Sequence, residues 1–381
     1  MKKFVKLLSL VLALAMVVCC FAACGGDAND DTDTPDAGFY YIGATGPLTG
    51  DASSYGISVK QGAQLAIDEI NAAGGLNGAQ FKFNILDDKA TAEDAATGYD
   101  QLMDEGMQIS LGSVTSGSCQ AFATKAVADH LFAITPSASA ANVIETGDTM
   151  FRVCFGDPDQ GILAAEELTG KYTKIGCIYD TSDPYSAGIY EAFDAKMKEL
   201  GKAYTTQTFD QENNKDFSTQ VEALKDCEVI FTPFYYTEAG LVAKACAAKG
   251  VTAEIFGCDG LDGVAGQIEG ANIPNTIRYI TPFDVASTDE KTAAFVANYT
   301  AKYGAAPDQF AADGYDAVYT IFEAMKKAGV DDTEIKYSDL ADKVIAVLTS
   351  SDFSYAGVTG AMTWDASGAC TKVPVIVDLS K

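Results

Sequence analysis

Short runs of apolar, β-branched and aromatic residues alternate with longer helical patterns from Phe39 onward, and this alternation constrains the fold more than any other feature. The runs are apolar along most of their length, as is typical of strands in parallel sheets that helices cover on both faces. The predicted strands are FYYIGAT (39–45), QFKFNILDD (80–88), QISLG (108–112), LFAITP (131–136), KIGCIYD (174–180), CEVIFTPF (227–234) and AEIFGCD (253–259). The pattern predicts an α/β fold.

The strands and helices form two successive β/α series, at about 39–156 and about 157–282. After them, helices are predicted near 289–303, 308–328 and 336–348, and strands near 358–364 and 373–379. Two doubly wound parallel sheets leave a cleft between them. Because ligands of open α/β sheets bind outside the C-terminal ends of the strands, the loops after the strands are the candidate binding segments.

Charge and motif content exclude several classes of function. The 381 residues include 53 acidic and 26 basic side chains, a formal net charge of −27, so we expect no nucleic-acid partner. His130 is the single histidine of the sequence, which excludes multi-histidine metal sites. The sequence has no G-x-S-x-G, G-x-x-x-x-G-K-[ST] or H-E-x-x-H motif. We therefore predict a protein that is not an enzyme and that has no cofactor or metal.

The N-terminus predicts export. Residues 1–23 combine lysines, a long apolar run and final small residues, which is the layout of a signal peptide, although a retained membrane helix is the alternative. The stretch FAAC resembles a bacterial lipoprotein processing box in which Cys24 is lipidated, with Cys19 and Cys20 as rival sites. Residues 24–38 then predict an acidic linker. These features predict an extracytoplasmic protein, or a periplasmic one, that a lipid anchor alone holds at the cell membrane.

Seven cysteines follow the predicted signal peptide and Cys24, and they are isolated in mostly apolar surroundings. They are Cys119, Cys154, Cys177, Cys227, Cys246, Cys258 and Cys370. No C-x-x-C pair occurs among them, which argues against zinc, iron–sulfur and thioredoxin-type centres. Their pattern favours small buried side chains.

Two loops after strands of the first series are rich in small hydroxyl residues. SVTSGSC follows the strand ISLG, and SASAAN follows LFAITP, each at the predicted start of a helix. Backbone N–H groups of a first helical turn have no partners within the helix and attract anions such as a carboxylate. The alternative interpretation is that these serines are ordinary N-caps.

The corresponding loops of the second series supply aromatic rings and acid. They are DTSDPYSAG (180–188), PFYYTEAG (233–240) and GCDGLDG (257–263). Asp259 would offer a carboxylate to an ammonium group, and Tyr185, Phe234, Tyr235 and Tyr236 would offer ring faces. Anion-binding helix starts on one side and a carboxylate on the other complement a zwitterion, so the sequence predicts an amino acid ligand.

Several motifs together resemble the type I periplasmic binding proteins of the branched-chain amino acid transport family. They are GATGPLTGDASSYG, QGAQLAIDEINAAGGLNG, ITPSASA, DFSTQV and GVTGAMTWDASG. The resemblance implies two α/β lobes joined by three crossovers near 155–157, 281–284 and 355–358. The implied N-terminal lobe is 39–156 plus 283–355, and the implied C-terminal lobe is 157–282 plus 356–381. Members close on their ligand and deliver it to the permease subunits of an ABC importer.

The resemblance also assigns binding residues, position by position. The carboxylate-binding serine falls on Ser116, with Ser118 as the alternative, and the triplet after the fourth strand falls on Ser137, Ala138 and Ser139. There the carbonyl of Ser137 would accept from the ammonium group, and the N–H and hydroxyl of Ser139 would bind the ligand. The remaining matches are Tyr55, Tyr185, Tyr235 and the ammonium-binding Asp259.

Two departures from the family pattern stand out. The ammonium-binding acid is often glutamate in the family, and the shorter Asp259 puts amino acid specificity in question. Cys119 has no partner cysteine near 87–91 for the disulfide that some members have. We predict a monomeric binding protein for an apolar or aromatic amino acid, including the branched-chain ones. A sensory module for a receptor, or a binder of an amide, urea or an aromatic acid, is the alternative.

Overall fold

The structure is a computed structural model that describes residues 38–380. The predicted signal peptide, Cys24 and the linker as far as residue 37 lie outside the described residues, so they stay predictions. Within the described range, no helix has both the length and the apolar character needed to cross a membrane.

The first sheet has five parallel strands in the order β2-β1-β3-β4-β5. These strands are β1 (Phe39–Gly46), β2 (Gln80–Asp87), β3 (Ile109–Ser110), β4 (Ala133–Thr135) and β5 (Met150–Arg152). The intervening helices are α1 (Ser53–Ala72), α2 (Ala92–Asp104), α3 (Ser116–Asp129) and α4 (Ala141–Ile144). Strand β1 is buried at every position after Phe39, as a central strand covered on both faces must be.

The second sheet has six strands in the order β13-β10-β9-β8-β6-β7, of which only β13 runs antiparallel to its neighbour. The strands are β6 (Ile175–Asp180), β7 (Thr205–Phe209), β8 (Val229–Thr232), β9 (Glu254–Gly257), β10 (Ile277–Thr281) and β13 (Val375–Asp378). The helices are α5 (Asp157–Thr169), α6 (Pro184–Glu199), α7 (Ser218–Ala223), α8 (Tyr236–Lys249) and α9 (Val264–Gln267), with a 3₁₀ turn at Asp259–Leu261.

The chain then returns to the first sheet. Helices α10 (Glu290–Tyr303), α11 (Gln309–Lys327) and α12 (Tyr337–Leu348) follow β10, and the two-stranded hairpin of β11 (Tyr355–Gly357) and β12 (Gly360–Met362) precedes β13. The α/β prediction and the parallel sheets are confirmed. Each of the seven predicted strands and the three late helices has a counterpart, whereas β5, β7, β10 and β11 were not among the predicted strands.

The hairpin packs with the first sheet, which differs from the sequence prediction that everything after residue 355 joins the C-terminal lobe. Tyr355, Val358 and Met362 belong to the apolar core beneath the first sheet. The carboxylate of Asp316 on α11 accepts the backbone N–H groups of Val358 and Thr359, both at 2.9 Å. Because the segment is held by first-lobe groups, we place the third crossover after it, between β12 and β13. The other predicted lobe boundaries stay predictions.

Helices α1 and α11 approach each other closely at two glycines. A Cβ atom on Gly62 would stand 1.8 Å from the carbonyl oxygen of Ala311, and one on Gly314 would stand 2.6 Å from that of Val59. Neither obstacle is a flexible side chain, so the two backbones would have to move apart to admit a methyl group. The contact helps hold the returning helices against the first sheet.

We predict that Gly62→Ala lowers the free energy of unfolding by about 1–3 kcal/mol, because overpacking between backbones outweighs the gain in helix propensity. Urea denaturation measures the change. Gly266→Ala is the matched control, since α9 leaves open space around that glycine and its stability should be unchanged or slightly raised. Equal effects at both positions would contradict the packing explanation.

Candidate functional site

The first wall of the candidate site is the start of α3. Ser116 is the first residue of this helix and is 2% exposed, and the preceding Thr115 makes no side-chain capping bond. The hydroxyl of Ser116 accepts the backbone N–H of Ala140 at 3.2 Å, which ties the two serine-rich loops together. The Ser118 hydroxyl instead accepts from Thr115 at 3.2 Å. Neither serine is an N-cap, so the ordinary capping interpretation does not describe this helix start.

The second serine-rich loop, at 137–139, is held from both sides. The hydroxyl of Ser137 donates to the carbonyl of Val114 at 2.7 Å, and the N–H of Ala138 donates to Thr135 at 3.0 Å. The carbonyl of Ser139 accepts from the Arg152 guanidinium at 2.6 Å. Its hydroxyl is buried and has no hydrogen-bond partner among the described residues. Hydrogen bonds therefore hold the backbone of this loop in place, and the Ser139 hydroxyl remains without a hydrogen-bond partner among the described residues.

The opposite wall is the turn that follows β9. The Tyr185 hydroxyl donates to Oδ1 of Asp259 at 2.7 Å and accepts the N–H of Gly260 at 2.9 Å. The N–H of Asp259 donates to Gln160 at 3.0 Å. Asp259 is 5% exposed, and burial raises the pKa of its carboxyl to about 6, although the Tyr185 hydrogen bond acts in the opposite direction. This carboxyl is thus positioned by its neighbours without being neutralised by a cation.

Tyr55, on α1 of the first lobe, contacts the second lobe directly. Its hydroxyl donates to the carbonyl of Gly260 and accepts the N–H of Tyr236 at 3.2 Å. Its ring meets Tyr235 edge-on at 5.4 Å between centroids and lies 4.1 Å from the ring of Phe310. One aromatic side chain of the first lobe therefore makes hydrogen bonds and ring contacts with the second.

A small cavity lies between the two walls. Six of the nine predicted binding residues line it, namely Tyr55, Ser116, Ser137, Tyr185, Tyr235 and Asp259, together with Val114, Thr115, Gly260 and Phe310. Ser118, Ala138 and Ser139 are buried and do not line the cavity. The cavity volume is about 10 Å³, close to the space for a single water, and a groove of about 410 Å³ adjoins it at Thr115 and Tyr235. The structure brings the predicted residues of both lobes together, while their individual roles stay predictions.

Asp157 is a residue that the sequence analysis missed. It opens α5 and is fully buried, and neither carboxylate oxygen has a hydrogen-bond partner among the described residues. Burial raises its pKa well above the ordinary value and the charge of Asp259 raises it further, while the charge of Arg152 acts to lower it. The sequence feature that could have identified Asp157 is its position at the start of the second β/α series, beside the predicted crossover.

His130 takes no part in this site. Its ring Nε2 lies 2.8 Å from Oδ1 of Asp342, and both side chains are substantially exposed. It is absent from the residues that line the cavity. The described residues also contain no group of three or more histidine, cysteine or acidic side chains arranged to hold a metal ion.

Comparison with known proteins identifies the family that has this architecture. The family model described as periplasmic binding protein matches residues 40–374. The chain belongs to the periplasmic binding protein family. Within it, the relatives and solved structures below place the chain with the type I proteins of branched-chain amino acid transporters.

Three similar proteins illustrate the range of this family. A "Leucine-, isoleucine-, valine-, threonine-, and alanine-binding protein" from Pseudomonas aeruginosa is 28% identical over 339 residues, covering 86% of each chain. The branched-chain amino acid transporter substrate binding protein LivJ from Streptococcus pneumoniae, solved with isoleucine, is 27% identical with a TM-score of 0.76, covering 88% of this chain and 100% of LivJ. A solute binding protein from Rhodopseudomonas palustris, solved with benzoate, is 20% identical with a TM-score of 0.77, covering 90% of this chain and 95% of the other, and shows only the common fold.

The raised pKa of Asp259 predicts a pH dependence of stability in this binding protein. A carboxyl whose pKa is higher in the folded than in the unfolded chain binds its proton more tightly when folded, so its contribution to stability is lost as pH rises from about 4 to about 6. We expect Asp259→Asn to remove this contribution, on the order of 2 kcal/mol between pH 4 and pH 7.5. Denaturant unfolding at several pH values measures it. Asp148→Asn, on the exposed surface, serves as the control and should retain the wild-type slope.

Proposed function

We propose that this protein is an exported binding protein, anchored through a lipid on Cys24, that binds an amino acid between its lobes and delivers it to the permease of an ABC importer. The amino acid would be branched-chain, otherwise apolar, or aromatic. The observation that carries the proposal is the buried carboxylate of Asp259 across the cavity from the serine-bearing start of α3. The protein would release its ligand chemically unchanged.

The electrostatics of the two walls support a zwitterionic ligand. The start of α3 offers backbone N–H groups, the positive end of a helix dipole and the Ser116 hydroxyl, all of which favour a carboxylate. Asp259 favours an ammonium group, and no lysine or arginine lines the cavity to neutralise it. An α-amino acid satisfies both walls at once, because its two charged groups are attached to the same carbon atom.

The remaining lining supports an apolar side chain on the ligand. The rings of Tyr55, Tyr235 and Phe310 and the side chain of Val114 face the same cavity. The cavity has room for about one water and none for an amino acid, so binding must move these rings or part the lobes. After the ligand enters, the lobes would close and the contacts from Tyr55 to the second lobe would re-form. The closed state would be favoured because it binds the ligand more tightly than the open state.

The names of similar proteins support the same ligand class. The Pseudomonas aeruginosa relative is named for leucine, isoleucine, valine, threonine and alanine, and the Streptococcus pneumoniae structure contains isoleucine. An aromatic acid such as benzoate fits this chain less well. It has no ammonium group, so it would leave Asp259 buried without a partner charge. A sensory role with the same amino acid specificity is the second candidate function, and the binding site is common to both.

We predict that Asp259→Ala lowers the affinity for the amino acid by about 2–5 kcal/mol, because the buried ammonium group loses its partner charge. Isothermal titration calorimetry with leucine, isoleucine, valine and phenylalanine measures the loss. Asp148→Ala, outside the cavity, is the control and should bind as the wild type does. Undiminished amino acid affinity in the Asp259 variant would disprove the assignment of the ammonium site.

A thermal-shift screen separates the ligand classes. A ligand present at one hundred times its dissociation constant stabilises the folded protein by about 2.7 kcal/mol, which gives a clear rise in Tm. We expect such a rise with apolar or aromatic amino acids and none with benzoate, urea or an aliphatic amide. The reverse pattern would contradict the proposed ligand class. Mass spectrometry of the compound released on denaturation should recover it unchanged.

A further inference from the structure

Two of the segments that connect the lobes run side by side next to the candidate site. Residues 152–154 comprise the end of β5 and the two residues after it, and residues 368–372 precede β13. The N–H of Arg152 donates to the carbonyl of Gly368 at 3.1 Å, and the ammonium group of Lys372 donates to the carbonyl of Val153 at 2.6 Å. These two hydrogen bonds join segments that are far apart in the sequence.

Cys154 and Cys370 lie next to each other where these two segments meet. The thiol of Cys370 donates to the backbone carbonyl of Cys154 at 3.2 Å, so its side chain points at the other segment. A disulfide needs two cysteines whose Cα atoms are about 4.4–6.8 Å apart, and a thiol in contact with the other cysteine's own backbone meets the need for proximity.

We propose that Cys154 and Cys370 form an intramolecular disulfide when the exported protein meets an oxidant, and that this bond ties the first and third crossovers together. The inference rests on the placement of the two thiols and is independent of the proposed ligand. Both cysteines are free thiols in the structure.

The reaction is a thiol–disulfide exchange with a disulfide-containing oxidant, such as oxidised glutathione or a dithiol oxidoreductase. Cys370 is partly exposed and Cys154 is buried, so the thiolate of Cys370 attacks the oxidant, forms a mixed disulfide and releases one thiolate. Cys154 then loses its proton and attacks the sulfur of Cys370, which releases the second thiolate. The protein gives up two electrons and two protons, and the oxidant is reduced to two thiols.

The surroundings of Cys370 set the rate of the first step. Burial raises the pKa of its thiol to about 11, while the charges of Lys372 and Arg152 act to lower it. The thiolate fraction at neutral pH is therefore small, and the exchange should proceed over minutes to hours and speed up as the pH rises.

The other neighbouring thiols lack this geometry. Cys177 lies in β6 and Cys258 follows β9, and strand β8 separates these two strands in the sheet. Two strand spacings amount to about 9.5 Å, which exceeds the distance that a disulfide bridges. Cys227, partly exposed like Cys370, provides a matched control at a different place in the second lobe.

The test incubates the full chain with oxidised glutathione, alkylates the remaining thiols and maps the peptides by mass spectrometry without reduction. We expect one cross-linked peptide that contains Cys154 and Cys370 and that is two hydrogens lighter than the two reduced peptides together. We also expect the Tm of the oxidised protein to rise by about 2 °C or more, because the bond closes a long loop.

Two variants sharpen the result. Cys370→Ser should abolish both the cross-linked peptide and the rise in Tm, and Cys227→Ser should retain both. Recovery of Cys154 and Cys370 as separate alkylated peptides after prolonged oxidation would overturn the proposal. So would an equal yield of Cys177–Cys258 cross-links. The wild-type peptide map decides the question even if the Cys370 variant does not fold.

Discussion

Both lobes make hydrogen bonds to the 3₁₀ turn at Asp259–Leu261, and the rest of the site depends on these contacts. From the first lobe, the Tyr55 hydroxyl donates to the carbonyl of Gly260, and the Gln309 amide donates to the carbonyl of Asp259 at 2.6 Å. From the second lobe, the Tyr185 hydroxyl makes hydrogen bonds with Asp259 and Gly260. The position of the turn therefore depends on the relative placement of the lobes, so the proposed binding of a ligand to Asp259 would be coupled to lobe closure.

Buried acidic side chains near this turn outnumber the buried cations around them. Burial raises the pKa of Asp157 and of Asp259, and it raises that of Asp313 to about 7. Two buried cations lie nearby. The guanidinium of Arg152 donates to the Ser139 carbonyl, and Lys372 forms an ion pair with Asp313 at 2.7 Å. A ligand ammonium group would supply the missing charge, which is why a cationic group suits this site better than a second carboxylate would.

Local sequence was sufficient for the architecture and for much of the lining. The strands β1, β6 and β8 are apolar runs, and the segments that follow them carry Tyr55, Tyr185 and Tyr235. The unpredicted strands had weaker signals. Strand β7 is a half-exposed edge strand, β5 has three residues, and β10 carries Arg278 within an otherwise apolar run.

Sequence by itself determined that this chain forms two parallel-sheet units with hydroxyl groups beside one and an acid beside the other, because strand period and loop chemistry are local properties. Tertiary structure alone decided that the hairpin at 355–362 packs with the first lobe, that the described residues give the buried carboxylate of Asp157 no hydrogen bond, and that the Cys370 thiol contacts Cys154. These features join segments that are distant along the chain. No local pattern specifies them, since their free energy comes from contacts that exist only once both lobes have folded and met.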